Sequence, residues 1–331
     1  MRRRDFIVLL GAAAVASPLS PVRAQPPDRI RRIGVVMAMA ATDADAEPRI
    51  KAIQQGLQEF GWTEGRNIRI DYRWATVDTD RIRAHAAELV GLAPDVIIGV
   101  ATPVLTALRQ ETRSIPIVFV QVIDPVSRGF VTTLARPGGN ITGFTNFDFP
   151  MGGKWVETIR EVAPPITSVA VIFNPETAPY AEPFLRQIEP AALSLNVKAF
   201  GAPVRDTAEL ERATSALATE PRGGMIILPD VFTTVHRDLI VELAARHRLP
   251  AIYPFRYFAT SGGLISYGVD ALDLFRRSAS YVDRILKGTS PSELPVQGPI
   301  KFELVINLKT ATALGITAPP TLLARADEVI E

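Results

Sequence analysis

The sequence predicts an α/β protein of two similar doubly wound parallel-sheet lobes joined by a multi-strand hinge. Three observations lead there. Short Val- and Ile-rich runs alternate with amphipathic stretches, several of the runs are apolar without interruption, and one pair of elements recurs in both halves. Unbroken apolar runs suit strands buried on both faces, the situation in a parallel sheet covered by helices on each side. Alternation of strand and helix along 331 residues is the pattern of doubly wound sheets, and a chain of that length usually divides.

In order, strands are expected at Ile33–Ala38, Ile68–Tyr72, Val96–Val100, Ile117–Val122, Ile141–Phe144, Val169–Phe173 and Val197–Phe200. They continue at Met225–Leu228, Ala251–Tyr253, Leu264–Tyr267 and Phe302–Ile306. Helical spacing covers Arg49–Phe60, Arg81–Leu92, Val104–Glu111, Lys154–Val162, Ala208–Thr219, Leu239–His247 and Leu272–Leu286. In the last of these Leu272, Phe275, Ala279, Val282 and Leu286 share one face, the stripe a core-facing helix requires.

The recurring pair is a buried strand running into a helix start, followed by a second short strand. It reads Asp95-Val-Ile-Ile-Gly-Val-Ala-Thr-Pro with Pro116-Ile-Val-Phe-Val, and again Gly224-Met-Ile-Ile-Leu-Pro-Asp with Pro250-Ala-Ile-Tyr-Pro. Turn chemistry over 136–143 offers a first crossing between lobes, and Gly262-Gly263 and Gly298-Pro299 offer later ones. Three crossings divide the chain into lobe 1 (25–145 with 264–298) and lobe 2 (146–263 with 299–331). A plain tandem of two domains is the alternative.

The start has a different character. Met1-Arg-Arg-Arg-Asp precedes a short apolar run, Phe6–Ala16, which gives way to Ser17-Pro18 and then Val22-Arg23-Ala24. A charged segment, a run too short to span a bilayer and a small-residue exit describe a secretory signal (1–24), cleaved after Ala24. Arg3-Arg4 also fits a twin-arginine address. Its removal takes away four arginines and one aspartate, so the net charge falls from +1 to about −2, and nothing suggests a polyanion-binding surface; no nucleic-acid partner is expected. With no cysteine there is neither a disulfide framework nor a thiol nucleophile. No second long apolar stretch occurs, and the expectation is a periplasmic monomer that does not span the membrane.

In parallel sheets ligands bind beyond the carboxyl ends of the strands, where helix N-termini point. That selects Thr42, Thr102, Pro103, Asp124, Thr145 and Asn146 in the first half and Asp230, Tyr253 and Tyr267 in the second. Thr102 is expected as an N-cap with Pro103 opening the helix. Taken singly, Thr102, Asp124 and Asp230 read better as caps than as ligand contacts; convergence of strand ends from both lobes on one cleft favours contact. The two tyrosines fit a core role as well as a stacking one. Phosphate loops, dinucleotide fingerprints, nucleophile elbows and zinc motifs are all missing, and His85, His236 and His247 lack metal-ligand spacing. No cofactor and no catalysis are expected. Two charge-assisted anchors supply about 3–6 kcal/mol where micromolar binding needs about 8, so the expected small-molecule ligand also buries an apolar part.

Several segments resemble the ABC transporter substrate-binding proteins of the tryptophan/tyrosine type, within the type I periplasmic-binding-protein superfamily. They include Gly65-Arg-Asn-Ile, Tyr72-Arg-Trp-Ala, Ile115-Pro-Ile-Val-Phe-Val, Asp124-Pro-Val and Leu134-Ala-Arg-Pro-Gly-Gly-Asn-Ile-Thr-Gly. Ala244-Ala-Arg-His-Arg-Leu-Pro-Ala-Ile-Tyr, Tyr281-Val-Asp-Arg-Ile-Leu-Lys-Gly and Lys301-Phe-Glu-Leu-Val-Ile-Asn-Leu-Lys-Thr-Ala extend the likeness to nearly the whole chain. The resemblance implies two lobes closing on an aromatic amino acid or aromatic acid, and delivery to a permease in the inner membrane. It also implies that the loops at Thr102-Pro103, Asp124, Thr145-Asn146, Asp230 and Tyr267 line the cleft. A periplasmic sensor that presents the closed form to a receptor is the alternative role, with a secreted enzyme behind it.

Overall fold

The structure, a computed structural model, describes residues 29–331; the expected signal segment lies outside the described residues. Lobe 1 is laid down as β1 (Arg31–Met37), α1 (Ala46–Glu59), β2 (Ile68–Trp74), α2 (Thr79–Gly91), β3 (Val96–Val100), α3 (Thr102–Glu111), β4 (Ile117–Val122) and β5 (Ile141–Thr145). These strands form a five-stranded parallel sheet in the order β2-β1-β3-β4-β5. All five residues of β3 are buried, as an unbroken Val-Ile-Ile-Gly-Val run demands in a sheet covered on both sides.

Lobe 2 repeats the plan with α4 (Met151–Val162), β6 (Ser168–Phe173), α5 (Ala181–Ser194), β7 (Lys198–Pro203), α6 (Thr207–Thr219) and β8 (Gly223–Ile227). The short helix α7 (Val231–Val235), α8 (Arg237–Arg246), β9 (Ala251–Tyr253), α9 (Arg256–Thr260) and β10 (Ile265–Val269) follow. Their order β7-β6-β8-β9-β10 is the lobe 1 order over again, so the echo of β3–β4 in β8–β9 reflects equivalent places in two sheets. After α10 (Ala271–Leu286), β11 (Phe302–Asn307) pairs antiparallel with β10, and α11 (Leu308–Leu314), α12 (Pro320–Leu323) and β12 (Glu328–Ile330) complete a seven-stranded sheet.

The chain passes between lobes at three places: after β5, at Asp270, and over Gly298–Lys301. The first passage follows Thr145 rather than the 136–143 turn, because Ile141–Thr145 is itself the edge strand of the first sheet. The second comes at Asp270 rather than at Gly262-Gly263. Ile265 and Ser266 pair with β9 and the whole of β10 pairs with β11, so residues 265–269 belong to lobe 2, a correction to the division expected from glycine punctuation. Only α10 and the turn after it return to lobe 1, where Gln297 bridges the edge strand at Phe144.

Helix α5 carries Pro190 in its interior, which is why helical spacing in the sequence does not reveal it. Proline removes an amide from the ladder there, and burial of Phe184, Ile188 and Ala192 offsets the loss. Helix α10 runs against α1, and Gly56 is the point of closest approach: a Cβ added there would lie 2.4 Å from the Arg276 carbonyl oxygen and 2.8 Å from the Ala279 Cβ. Overpacking of this kind costs about 1–3 kcal/mol. Gly56→Ala is therefore expected to lower the midpoint of urea unfolding by that equivalent, measured by circular dichroism, whereas Gly91→Ala, with open space around it, should leave the midpoint nearly unchanged.

Candidate functional site

The carboxyl ends of β1, β3, β4 and β5 face those of β6, β8 and β9 across a gap between the lobes. A cavity of about 480 Å³, counted to its open mouth, lies there. Lobe 1 contributes Ala38, Arg49, Ala101, Thr102, Pro103 and Gln121 to its wall. Lobe 2 contributes Tyr180, Asp230, Thr234, Phe255 and Tyr257, and Asn146 lines it from the first connection between lobes.

Backbone strain concentrates at the lobe 1 rim. Ala101 (φ 77°), Gln121 (φ 60°) and Asp124 (φ 49°) all occupy positive-φ conformations that cost a non-glycine residue free energy. The cap of α3 is accordingly Ala101, one residue before the expected Thr102, and no side chain satisfies the first amides of that helix. Gln121 sits where the β4–β5 register shifts, and its Nε2 is buried without a hydrogen-bond partner among the described residues. Arg49, 6% exposed, holds its guanidinium over the rings of Tyr257 (5.9 Å) and Phe275 (5.3 Å). Its one side-chain hydrogen bond is a long one, 3.5 Å to Gln121 Oε1, and no carboxylate among the described residues lies within ion-pair distance of it. A buried cation and a buried donor on the same wall, both underused, favour an anionic group in the cavity.

The lobe 2 wall carries the opposite charge. Asp230 caps α7, accepting from the amides of Asn174 (2.8 Å) and Phe232 (3.1 Å) and from the Thr177 hydroxyl. Burial pushes its carboxyl up to about 6 despite those bonds, and no cation among the described residues lies within ion-pair distance of it. The capping and ligand-facing readings of Asp230 therefore hold together: it caps a helix and lines the cavity. Phe255 and Tyr257 stack with centroids 5.1 Å apart, and the Tyr180 hydroxyl donates to the Pro229 carbonyl, so both tyrosines present ring surface.

At the rim the lobes are tied by an ion pair. Arg237 of α8 donates to Asp43 of lobe 1 through both terminal nitrogens, at 2.8 and 3.1 Å, with Asp45 3.9 Å away. Burial alone would raise the Asp43 carboxyl; hydrogen bonds from Arg237 and the Asp45 amide outweigh it and hold the group below its ordinary value. The Arg237 guanidinium also lies 5.6 Å from the Tyr257 ring centroid, so Tyr257 touches both the latch and the cavity wall.

Of the residues selected from sequence, Thr102, Pro103, Asn146 and Asp230 meet in this cavity; the others do not line it. Tyr253 is 1% exposed and stacks on Phe258 at 4.9 Å, a core position. Tyr267 lines a separate groove with Lys154, Glu157 and Phe302. The Asp124 carboxylate closes its own turn by accepting from the Ser127 amide at 3.2 Å, and no helix follows it to be capped. Thr145 donates to the Gln297 carbonyl at 3.3 Å, and Thr42 is exposed beside the latch. Arg49, Gln121, Tyr180, Phe255 and Tyr257 were not legible as strand-end groups because Arg49 and Tyr257 lie on helices, Gln121 lies inside β4, and Tyr180 and Phe255 stand just before helices. Among the described residues no group of His, Asp and Glu is placed to hold a metal ion, and no helix is long and apolar enough to cross a membrane.

Comparison with known proteins shows relatives of this fold. The profile of the family described as ABC transporter substrate binding protein matches residues 33–330. A tyrosine-binding protein of Clostridioides difficile (strain R20291) is 26% identical over 265 residues, which cover 80% of this chain and 75% of that protein. A conserved domain protein from Vibrio cholerae is 30% identical, with a TM-score of 0.84 over 91% of this chain and 100% of the other. An ABC domain from Streptococcus pneumoniae in complex with L-Trp shares the fold at a TM-score of 0.84, with 24% identity and the same coverage. The chain belongs to the ABC transporter substrate-binding protein family, a class of solute binders rather than enzymes.

Proposed function

We propose that this protein captures an aromatic amino acid between its lobes and delivers it to the permease of an ABC importer. One observation carries the ligand class: the cavity sets a buried cation, Arg49, on one lobe and a buried carboxylate, Asp230, on the other, and neither has an opposite charge within ion-pair distance among the described residues, Arg49 acting on Asp43 and Asp45 only from further off. A zwitterion supplies the missing charge to each. Its carboxylate meets Arg49, the Gln121 amide and the open first turn of α3; its ammonium meets Asp230. Two charge-assisted anchors contribute about 3–6 kcal/mol, and burial of a ring against Tyr180, Phe255 and Tyr257 adds about 1.5–3 kcal/mol, so the upper end of the sum reaches the micromolar range. The names of two relatives, one a tyrosine binder and one crystallised with L-Trp, support the same class. Contacts made to both lobes at once favour the closed arrangement, the form a permease would recognise. Work outside the cytoplasm, in the periplasm after cleavage at Ala24, is supported by the charged, apolar and small-residue segments at the start of the chain.

Isothermal titration with the twenty amino acids tests the reading: L-Tyr, L-Trp or L-Phe should bind at about micromolar Kd, and Arg49→Met should weaken that binding roughly a hundredfold. Binding confined to sugars or to aliphatic acids would sink it.

The raised Asp230 carboxyl gives a pH signature. A proton on Asp230 competes with the ligand ammonium, so affinity should fall roughly tenfold between pH 7 and pH 5. Asp230→Asn should bind more weakly and lose that slope. In the ligand-free protein the sign is opposite: a folded-state value above the unfolded one means stability present below about pH 4 is lost as pH rises through about 6.

The latch should act chiefly on closure. Arg237→Ala removes both bonds to Asp43 and the guanidinium beside Tyr257, and should raise Kd roughly tenfold by depleting the closed form. Small-angle scattering should show a larger radius of gyration for the ligand-free variant and the same compact form for both proteins at saturation.

A further inference from the structure

The cleft does not end at the cavity that holds Arg49 and Asp230. A second cavity of about 150 Å³ opens beside it, and Thr102 and Pro103 form part of the wall of both. It too spans the lobes, with Arg83, Gln110 and Arg128 on one side and Glu176 and Thr177 on the other. Arg128 makes no ion pair among the described residues, and Arg83 reaches only Asp80 of its own helix, at 3.3 Å, where both side chains are open to water. The sign of charge repeats the arrangement inside: cations on lobe 1, a carboxylate on lobe 2. The two chambers are also close, since Thr177 lines the outer one while donating to Asp230 of the inner one, and the charge of Arg128 is felt at the Tyr180 hydroxyl.

A free amino acid fills the inner chamber and leaves the outer arginines solvated. A ligand extended from its carboxyl end would pass the Thr102-Pro103 turn, and one further residue of extended chain adds about 3.3–3.6 Å of reach. We propose that the cleft also accepts dipeptides with an aromatic first residue, the carboxylates of the second residue lying against Arg83 and Arg128. This rests on the reading of the inner chamber given above. The ammonium and ring keep their places at Asp230 and the aromatic wall, while the peptide carbonyl accepts from both Arg49 and Gln121. Guanidinium groups suit a carboxylate held at a solvated mouth, where a bidentate pair adds orientation as well as attraction.

Titration calorimetry with three probes tests the proposal: L-tyrosine, tyrosyl-glutamate and tyrosyl-glycine amide, which lacks carboxylates. The protein with both Arg83→Ala and Arg128→Ala is compared with the parent chain; both side chains are exposed, and thermal unfolding verifies that the fold is kept. Tyrosyl-glutamate should bind the parent, and the double variant should weaken it roughly tenfold or more while L-tyrosine and the amide change by less than about twofold. Binding of L-tyrosine without tyrosyl-glutamate, or equal weakening of all three in the double variant, would overturn the proposal and leave the inner chamber's reading intact. Binding of none of them to the parent would overturn both.

Discussion

The packing of α10 on α1 is the constraint from which the cleft follows. Helix α10 leaves the end of β10 in the second sheet and lies across the first, in contact with α1 at a glycine where the two backbones almost touch. The chain then has to return, and it does so along Gln297, whose amide and carbonyl pair with the edge strand of lobe 1 before β11 rejoins lobe 2. With the connections after β5 and at Asp270, this makes three crossings on one side of the molecule. They bring the carboxyl ends of two parallel sheets face to face and leave the opposite side free to open.

Facing strand ends concentrate groups that water would otherwise satisfy. The positive-φ residues Ala101 and Gln121 turn the backbone sharply at the ends of β3 and β4, and their cost is borne by fully buried strands on either side. Arg49 and Asp230 could not be buried at no cost; each is held by local contacts and not by a directly bonded opposite charge, rings beneath the guanidinium and three donors around the carboxylate. Under the proposed function a ligand bearing both charges offsets that cost, and because the two groups stand on different lobes its binding favours closure.

Tyr257 connects the latch to the cavity. One ring is approached by Arg49 from the wall and by Arg237 from the rim, and it stacks on Phe255. Cation–π contacts contribute about 0.5–2 kcal/mol when partly desolvated, enough to bias the position of a guanidinium without fixing it. The aromatic wall and the Asp43–Arg237 pair therefore share one ring, and the pair ties the two lobes by hydrogen bonds from both terminal nitrogens of one arginine.

Much of the fold was legible in the sequence because its signals are local. Unbroken runs such as Val96–Val100 and Ser168–Phe173 can only be satisfied between two helical layers, and the stripe on α10 declares a buried face. The repeated strand-into-helix segment identified equivalent places in two sheets, and Thr102, Pro103, Asn146 and Asp230 followed from the rule that ligands meet strand ends. Local signals fail where burial overrides them: Pro190 sits inside α5, Tyr253 is core and not cleft, and Asp124 serves its own turn. The sequence by itself determined the two doubly wound lobes and the loops from which a site could be built. Only the tertiary structure decided that Arg49, from a helix distant in sequence, meets Gln121 and Tyr257, and that Asp43 meets Arg237. The reason is that pairing of buried charges depends on which faces the hinge brings together, and no spacing along the chain encodes that.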